Sequence, residues 1–249
     1  MSVSFGGADA LYLTASSFTP SMGAFWFYPT TFGTTQTMYA RRNAFNGSYM
    51  QVEYRSGRNL RIQQYNAITI SARSATSTGA ATVDAWNHCF WYADGGSRLI
   101  YLNGGNKGSN FDAGGLPALT FRSVGARITA ATPTFVDHFS GRIAEFWESL
   151  VSGSPSSVDL DNYAYSLYTA RQKVNEGQYN DTSGSWNYWD FVRSLTSRAE
   201  VARTFNIFGS SSYTDHPPLV TESRRKMLPI NRVVSLGGHY NKDGRIILV

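Results

Sequence analysis

Residues 83–105, VDAWNHCFWYADGGSRLIYLNGG, decide the predicted fold of this chain. Two dense runs of aromatic and aliphatic residues, 89–93 and 98–102, flank the glycine-rich turn 94–97. Short runs of this composition around such a turn predict a β-hairpin. A second turn at 103–105 closes the unit. The hairpin is predicted to be structural core, because its side chains offer no recognisable reactive group.

Both faces of this hairpin are largely apolar or aromatic. Side chains alternate along a strand, so the first run divides into Phe90 and Tyr92 against Cys89, Trp91 and Ala93, and the second into Leu99 and Tyr101 against Ile100 and Leu102. Such strands are expected in the middle of a packed sandwich. Cys89 is the single cysteine, which excludes an intrachain disulfide and favours a small buried side chain.

Composition favours a β-rich protein with a substantial core. The 249 residues are 42% hydrophobic and 14% aromatic, and only 16% are charged. A net charge of +5 over this length is too mild to predict nucleic-acid binding. The N-terminus lacks the pattern of a signal peptide, and no apolar run approaches the roughly 20 residues that span a bilayer. The sequence therefore predicts a protein made and folded in a cytoplasm, with no membrane partner.

Short strands separated by turn residues occupy the chain on both sides of the hairpin. They are predicted at residues 3–5, 11–13, 24–28, 38–40, 49–54, 60–64, 68–71, 119–126, 141–150, 186–191 and 204–208. Strands at such short spacing indicate an antiparallel sandwich or barrel.

One segment has a helical period instead. Apolar and aromatic residues recur at helical spacing at Leu160, Tyr163, Ala164, Leu167 and Tyr168. Ser156 and Asp159 form an N-terminal capping pattern, which predicts a helix over residues 156–176. We expect this helix to pack on the edge or rim of the sandwich.

The C-terminal residues 210–249 are predicted to form an extended basic tail after a first domain at 1–209. The tail has no regular period and ends in the apolar sequence IILV. The residues expected to contact a partner are Arg224, Arg225, Lys226, Arg232, Ile246, Ile247 and Leu248. The basic cluster would meet an acidic patch, and the apolar end could add a strand to a neighbour's sheet edge. The alternative is that the tail folds back on its own sandwich.

Four segments taken together resemble the laminin G-like branch of the concanavalin A-like jelly-roll superfamily. They are SFGGADALYL (4–13), WNHCFWYADGGSRLIYLNG (86–104), SVGAR (123–127) and GRIAEFWESLVSGSPSS (141–157). The resemblance covers roughly residues 1–208 and implies an all-β, two-sheet antiparallel jelly-roll sandwich with one short helix. It implies little about activity, because this fold serves lectins, glycanases, adhesion modules and virion parts.

Two later segments, WNYWDF (186–191) and TDHPPLV (214–220), resemble the closing part of such domains in bacteriophage virion proteins. This resemblance implies a non-enzymatic virion structural protein, either capsid decoration (cement) or a tail or fibre component. Its partners would be other virion proteins, and it would form a homo-oligomer within the assembly. The alternative is a carbohydrate-binding, lectin-like module that attaches to host-surface glycans. A glycanase is a weaker third hypothesis.

Glu145 and Glu148 are the nearest candidates for the paired carboxylates of a glycanase. Their odd separation within a strand predicts side chains on opposite faces, so they could not flank one sugar. We expect both to lie at the rim or face solvent. No catalytic residue is predicted.

The sequence predicts no metal site or cofactor. The four histidines, His88, His138, His216 and His239, have no partner at a metal-ligand spacing, and turn or capping roles are expected for them. The laminin G-like resemblance implies that calcium could bind at the sandwich rim, where Asp9, Asp112 and Asp137 lie in predicted loops. A sugar site would need exposed aromatic rings, but most aromatic residues fall on strands and are predicted to be core, so no residue can be assigned to it.

Overall fold

A computed structural model describes fourteen stretches of the chain. They are residues 2–14, 20–43, 45–94, 96–112, 115, 118–129, 134–150, 155–169, 186–189, 198–199, 205–209, 212–214, 239–240 and 246–247. For 186–189, 198–199, 212–214, 239–240 and 246–247 only the backbone is described.

The described residues form twenty strands and one helix. In chain order they are β1 (Ser2–Gly6), β2 (Ala10–Leu13), β3 (Met22–Pro29), β4 (Gln36–Arg42), β5 (Tyr49–Tyr54), β6 (Leu60–Asn66), β7 (Ser71–Thr76), β8 (Asn87–Asp94), β9 (Ser97–Leu102), β10 (Gly108–Asn110), β11 (Phe121–Val124), β12 (Arg127–Ile128), β13 (Phe135–Val136), β14 (Ser140–Ser149), α1 (Ser157–Thr169), β15 (Trp186–Trp189), β16 (Arg198–Ala199), β17 (Asn206–Phe208), β18 (Ser212–Thr214), β19 (His239–Tyr240) and β20 (Ile246–Ile247).

Two large antiparallel sheets make up the sandwich. The first, sheet A, has the order β10-β9-β8-β3-β14-β1-β18, with β15 and β16 added beside the second half of β14. The second, sheet B, has the order β17-β2-β11-β4-β5-β6-β7. The small ladder of β12 and β13 follows β11. The predicted two-sheet sandwich is confirmed.

The predicted hairpin is β8 and β9, and its two faces are sorted as the alternation predicts. Cys89, Trp91, Ile100 and Leu102 belong to the core between the sheets. Phe90, Tyr92, Leu99 and Tyr101 belong to a second apolar cluster on the outward side of sheet A. Both faces are buried because both are covered by another layer of the protein.

Helix α1 is the layer that covers sheet A. Its buried residues Leu160, Ala164 and Leu167 belong to the same cluster as the outward side chains of the sheet. The predicted Ser156 cap is present, since the Ser156 hydroxyl accepts a hydrogen bond from the Asp159 amide at 3.2 Å. The expected position at the rim is wrong: the helix lies on the sheet because the outward face of β8 and β9 is as apolar as the core face. Residues 170–176 of the predicted helix lie outside the described residues.

The chain consists of two compact units, residues 1–219 and residues 220–249. The boundary falls after β18, which pairs with β1, so backbone of the predicted tail joins sheet A at 212–214. In the second unit, Ile246 and Ile247 of β20 pair with β19. These two apolar residues form a short antiparallel ladder with residues 239–240 of their own chain, and the extended tail stays a prediction. Within the described part of the chain, no helix is long and apolar enough to cross a membrane.

Candidate functional site

The outward side of sheet B carries a polar and aromatic cluster where the equivalent side of sheet A is apolar. Residues 50, 52 and 54 of β5 point to the core, so Tyr49, Gln51 and Glu53 point outward. The register places Tyr65, Gln63 and Arg61 of β6 directly opposite them. We define the outer-face cluster as these six residues with two neighbouring arginines, Arg42 of β4 and Arg127 of β12.

Hydrogen bonds between side chains hold the middle of the cluster in place. Glu53 accepts from Arg61 Nε and from Gln51 Nε2, both at 2.5 Å. Gln63 Oε1 accepts from Gln51 Nε2 and from an Arg61 terminal nitrogen, both at 3.2 Å. The Glu53 side chain is 4% exposed and the Arg61 side chain 21% exposed. These bonds fix four outward side chains without the covering layer that α1 supplies on sheet A.

Two tyrosines form the aromatic part of the cluster. The rings of Tyr49 and Tyr65 lie 5.5 Å apart at 32°, and both residues are partly exposed. The Arg127 guanidinium lies 5.8 Å from the Tyr49 ring centroid and forms an ion pair with Asp137 at 2.8 Å. Burial raises the pKa of Tyr49, with smaller and opposing contributions from neighbouring charges. The Tyr49 phenol is therefore neutral at physiological pH and is able to donate a hydrogen bond.

Arg61 and Arg127 form ion pairs among the described residues, whereas Arg42 does not. It follows the buried Arg41 in β4 and lies opposite Tyr49. No ion-pair or side-chain hydrogen-bond partner of Arg42 is present among the described residues. Burial lowers the pKa of the Arg42 guanidinium, and the nearby positive charge of Arg127 lowers it further. The positive charges of Arg42 and Arg127 thus lie close together on this face, and only Arg127 pairs with a carboxylate.

Gln51 is buried in the middle of the cluster. The residue is 3% exposed, its amide nitrogen binds Glu53 and Gln63, and its Oε1 has no partner in the described structure. An unpaired buried acceptor costs roughly 1–3 kcal/mol. The groups of this face that a ligand can reach are the partly exposed tyrosine rings and the Arg42 guanidinium, which together suit a hydroxyl-rich ligand.

Glu148 lies between the sheets and not at the rim, which corrects the expectation for this residue. It is fully buried, forms an ion pair with Arg122 and accepts a hydrogen bond from Tyr39 Oη at 2.8 Å. Glu145 is also buried, at 3% exposed. A β-bulge between Ala144 and Trp147 interrupts the regular alternation. The odd separation of Glu145 and Glu148 therefore does not place their side chains on opposite faces, as it would in a regular strand. Burial keeps Glu148 from reaching a sugar.

The described histidines have other roles than the predicted turns and caps. His88 is buried beneath Trp26 and Tyr168, and burial lowers its pKa to about 3. His88 is therefore a neutral core residue. His138 Nδ1 lies 3.2 Å from the Asp9 carbonyl oxygen. His239 is in β19, and His216 lies outside the described residues.

The three calcium candidates have protein partners. Asp9 accepts from the Gly6 amide at 2.7 Å, Asp112 from Asn110 Nδ2 at 2.9 Å, and Asp137 binds Arg127. Among the residues that the structure describes, no group of three or more His, Cys, Asp or Glu could hold a metal ion. The aspartates therefore have structural contacts that do not require an ion.

The predicted partner-binding residues are not part of the outer-face cluster. Ile246 and Ile247 form β20, while Arg224, Arg225, Lys226, Arg232 and Leu248 lie outside the described residues. Their role stays a prediction. The cluster itself was missed at the level of sequence, although a signal exists: YMQVEY and LRIQQY alternate apolar residues with polar or aromatic ones. That alternation marks strands with one uncovered face.

Comparison with known proteins assigns the fold family. Residues 5–149, more than half of the chain, match the laminin G-type family model described as the concanavalin A-like lectin/glucanases superfamily. The chain belongs to this superfamily. No curated protein matches the chain.

Solved structures with the same fold include a pentraxin, a domain of a sialidase and a trans-sialidase. A native heptameric SAP-like pentraxin from Limulus polyphemus superimposes with a TM-score of 0.52 at 12% identity, over 68% of this chain and 82% of the pentraxin chain. The CBM40 domain of the Ruminococcus gnavus IT-sialidase, bound to α2,3-sialyllactose, superimposes with a TM-score of 0.51 at 10% identity, over 66% of this chain and 95% of the CBM40 chain. The leech intramolecular trans-sialidase superimposes with a TM-score of 0.50 at 11% identity, over 66% of this chain and 27% of the trans-sialidase chain. At these identities the similarity establishes the fold alone.

Proposed function

We propose that this protein is a lectin-like module that binds carbohydrate on the outer-face cluster. The observation that carries the proposal is the pair of partly exposed tyrosines, Tyr49 and Tyr65, whose rings lie 5.5 Å apart beside the partly exposed Arg42 on a sheet face that side-chain hydrogen bonds hold in place.

The chemistry of the cluster corresponds to that of a sugar. The apolar face of a pyranose ring stacks on an aromatic ring, for which Tyr49 and Tyr65 are the available surfaces. Sugar hydroxyls both donate and accept, so they would accept from a guanidinium and exchange hydrogen bonds with a phenol. The hydrogen bonds among Gln51, Glu53 and Gln63 already hold this face in position, which reduces the entropy cost of binding.

The two tyrosines provide the test. Wild type, Tyr49→Ala and Tyr65→Ala are applied to a glycan array, and the strongest ligand is titrated by calorimetry. We expect either substitution to weaken binding at least about tenfold, as removal of a central aromatic contact does. The matched control is Tyr165→Ala, because Tyr165 is 61% exposed in α1. Equal loss in all three variants, or no binding by wild type, contradicts the proposal.

Non-catalytic action and a structural role in a bacteriophage virion stay predictions. Burial of Glu148 supports the first, since it removes one of the two carboxylates considered for hydrolysis. Glycan binding is compatible with a tail or fibre component that attaches to a host surface. A mass-spectrometric inventory of purified particles tests the virion role, and an absent protein would contradict it.

A further inference from the structure

The balance of charge on the outer-face cluster is uneven. It holds three guanidinium groups, of which Arg61 pairs with Glu53 and Arg127 pairs with Asp137. The two carboxylates are Glu53 within the cluster and Asp137 beside it. Together they balance two of the three guanidinium groups and leave the positive charge of Arg42. In the described structure, no acidic side chain pairs with Arg42.

The position of Arg42 suits a ligand group at the end of the sheet. Arg42 is the last residue of β4, beside the turn that leads to β5. A Cβ added at Gly47 in this turn would lie 3.4 Å from an Arg42 terminal nitrogen, so the guanidinium lies against the turn backbone. Tyr49 is directly opposite Arg42 in the ladder. A sugar stacked on Tyr49 would therefore present a substituent to this guanidinium.

We infer that the ligand is an anionic glycan whose carboxylate or sulfate group pairs with Arg42. This inference rests on the proposed function. A guanidinium is a planar fork of donors that matches the paired oxygens of either group, and such charge-assisted bonds are stronger than neutral ones. The ligand anion would also offset the repulsion between Arg42 and Arg127. A neutral glycan would leave that repulsion in place.

The test compares ligands that differ only in their charge. Calorimetry measures binding of sialyllactose against lactose, oligogalacturonate against its methyl ester, and a sulfated oligosaccharide against its desulfated form. We expect at least one anionic member to bind about tenfold more tightly than its neutral counterpart. Raising the salt from about 0.05 M to about 0.5 M should reduce the difference, because salt screens exposed charges. The pair that shows the difference identifies carboxylate or sulfate as the recognised group.

Two variants distinguish Arg42 from general positive charge. Arg42→Gln should reduce the preference for the anionic ligand to about threefold or less, because it weakens binding of the anionic ligand much more than binding of the neutral counterpart. Arg55→Gln is the control, because Arg55 follows β5 at the end opposite Tyr49 and its loss changes the net charge equally. Equal losses in both variants would overturn the role of Arg42.

The outcomes also separate this inference from the proposed function. Equal affinity for charged and neutral ligands, with binding still dependent on Tyr49 and Tyr65, overturns the anionic ligand and leaves glycan binding intact. Absence of binding to every glycan overturns the proposed function and the inference with it.

Discussion

The outward faces of the two sheets differ in chemistry although both obey the same alternation. On sheet A the outward residues of β8 and β9 are aromatic or aliphatic, and α1 covers them. On sheet B the outward residues of β5 and β6 are polar or tyrosine, and hydrogen bonds between side chains hold them. The outer face of sheet A therefore contributes to stability through packing, whereas the outer face of sheet B is an ordered polar surface, which we propose binds a ligand.

Loss of packing on the covered face should have the largest effect. Trp147 is 1% exposed and lies in the cluster beneath α1. Trp147→Ala should destabilise the protein by roughly 3–5 kcal/mol, because truncating a buried tryptophan leaves a cavity. Urea unfolding measures the change. Tyr165→Ala on the exposed side of the same helix is the control and should change stability by less than about 0.5 kcal/mol. Similar values for both would mean that α1 does not pack on sheet A.

The second largest loss of stability should come from breaking an ion pair between the sheets, and it should exceed the loss from breaking an ion pair on the outer face. Glu148→Gln should cost roughly 3 kcal/mol, because it leaves the buried Arg122 without the charge of its partner. Asp137→Asn breaks the partly exposed pair with Arg127 and should cost at most about 1 kcal/mol. Urea unfolding of both variants gives the comparison. A Glu148→Gln protein as stable as wild type would contradict the buried position of this carboxylate.

The pH dependence of stability tests the buried His88. Its folded pKa is depressed to about 3, so the unfolded chain takes up the proton first as the pH falls below the ordinary value of 6.5. Stability from this group is therefore complete above pH 6.5 and is lost as the pH falls towards 3. Between pH 6.5 and 4.5 wild type should lose about 2–3 kcal/mol more than His88→Phe, in which nothing titrates at this site. Parallel pH profiles would show that His88 is accessible to solvent.

The smallest effect on stability should come from the open face. Tyr65→Ala should cost less than about 1 kcal/mol in urea unfolding, because the ring is partly exposed and no helix of the described structure packs on it. The same variant should lose glycan binding, so stability and function separate at this residue. A loss of stability as large as that of Trp147→Ala would indicate that Tyr65 is core and not a binding surface.

Local pattern was sufficient to predict most of the fold. Alternation in 89–93 and 98–102 identified both faces of the central hairpin, and the spacing of Leu160, Ala164 and Leu167 identified the helix. What could not be predicted was which layer covers which face, because that depends on contacts distant in sequence. The helix was therefore expected at the rim.

The candidate site was less accessible to prediction. Tyr49 and Tyr65 form a pair only through the register of β5 with β6, which no local signal fixes. The orientation of Glu145 relative to Glu148 was also not predictable. The β-bulge near Glu145 inserts one residue into the strand, so an odd separation no longer places two side chains on opposite faces. Burial of Glu148 beside Arg122 follows from the packing of one sheet on the other and has no signature in either strand.

A crystal structure with the most tightly bound oligosaccharide tests the central claim most directly. The account predicts a sugar ring stacked on Tyr49 or Tyr65, with a ligand oxygen within hydrogen-bond distance of the Arg42 guanidinium and sheet B unchanged in register. A sugar bound at the ends of the sandwich or beside α1, with the outer-face cluster empty, would contradict it.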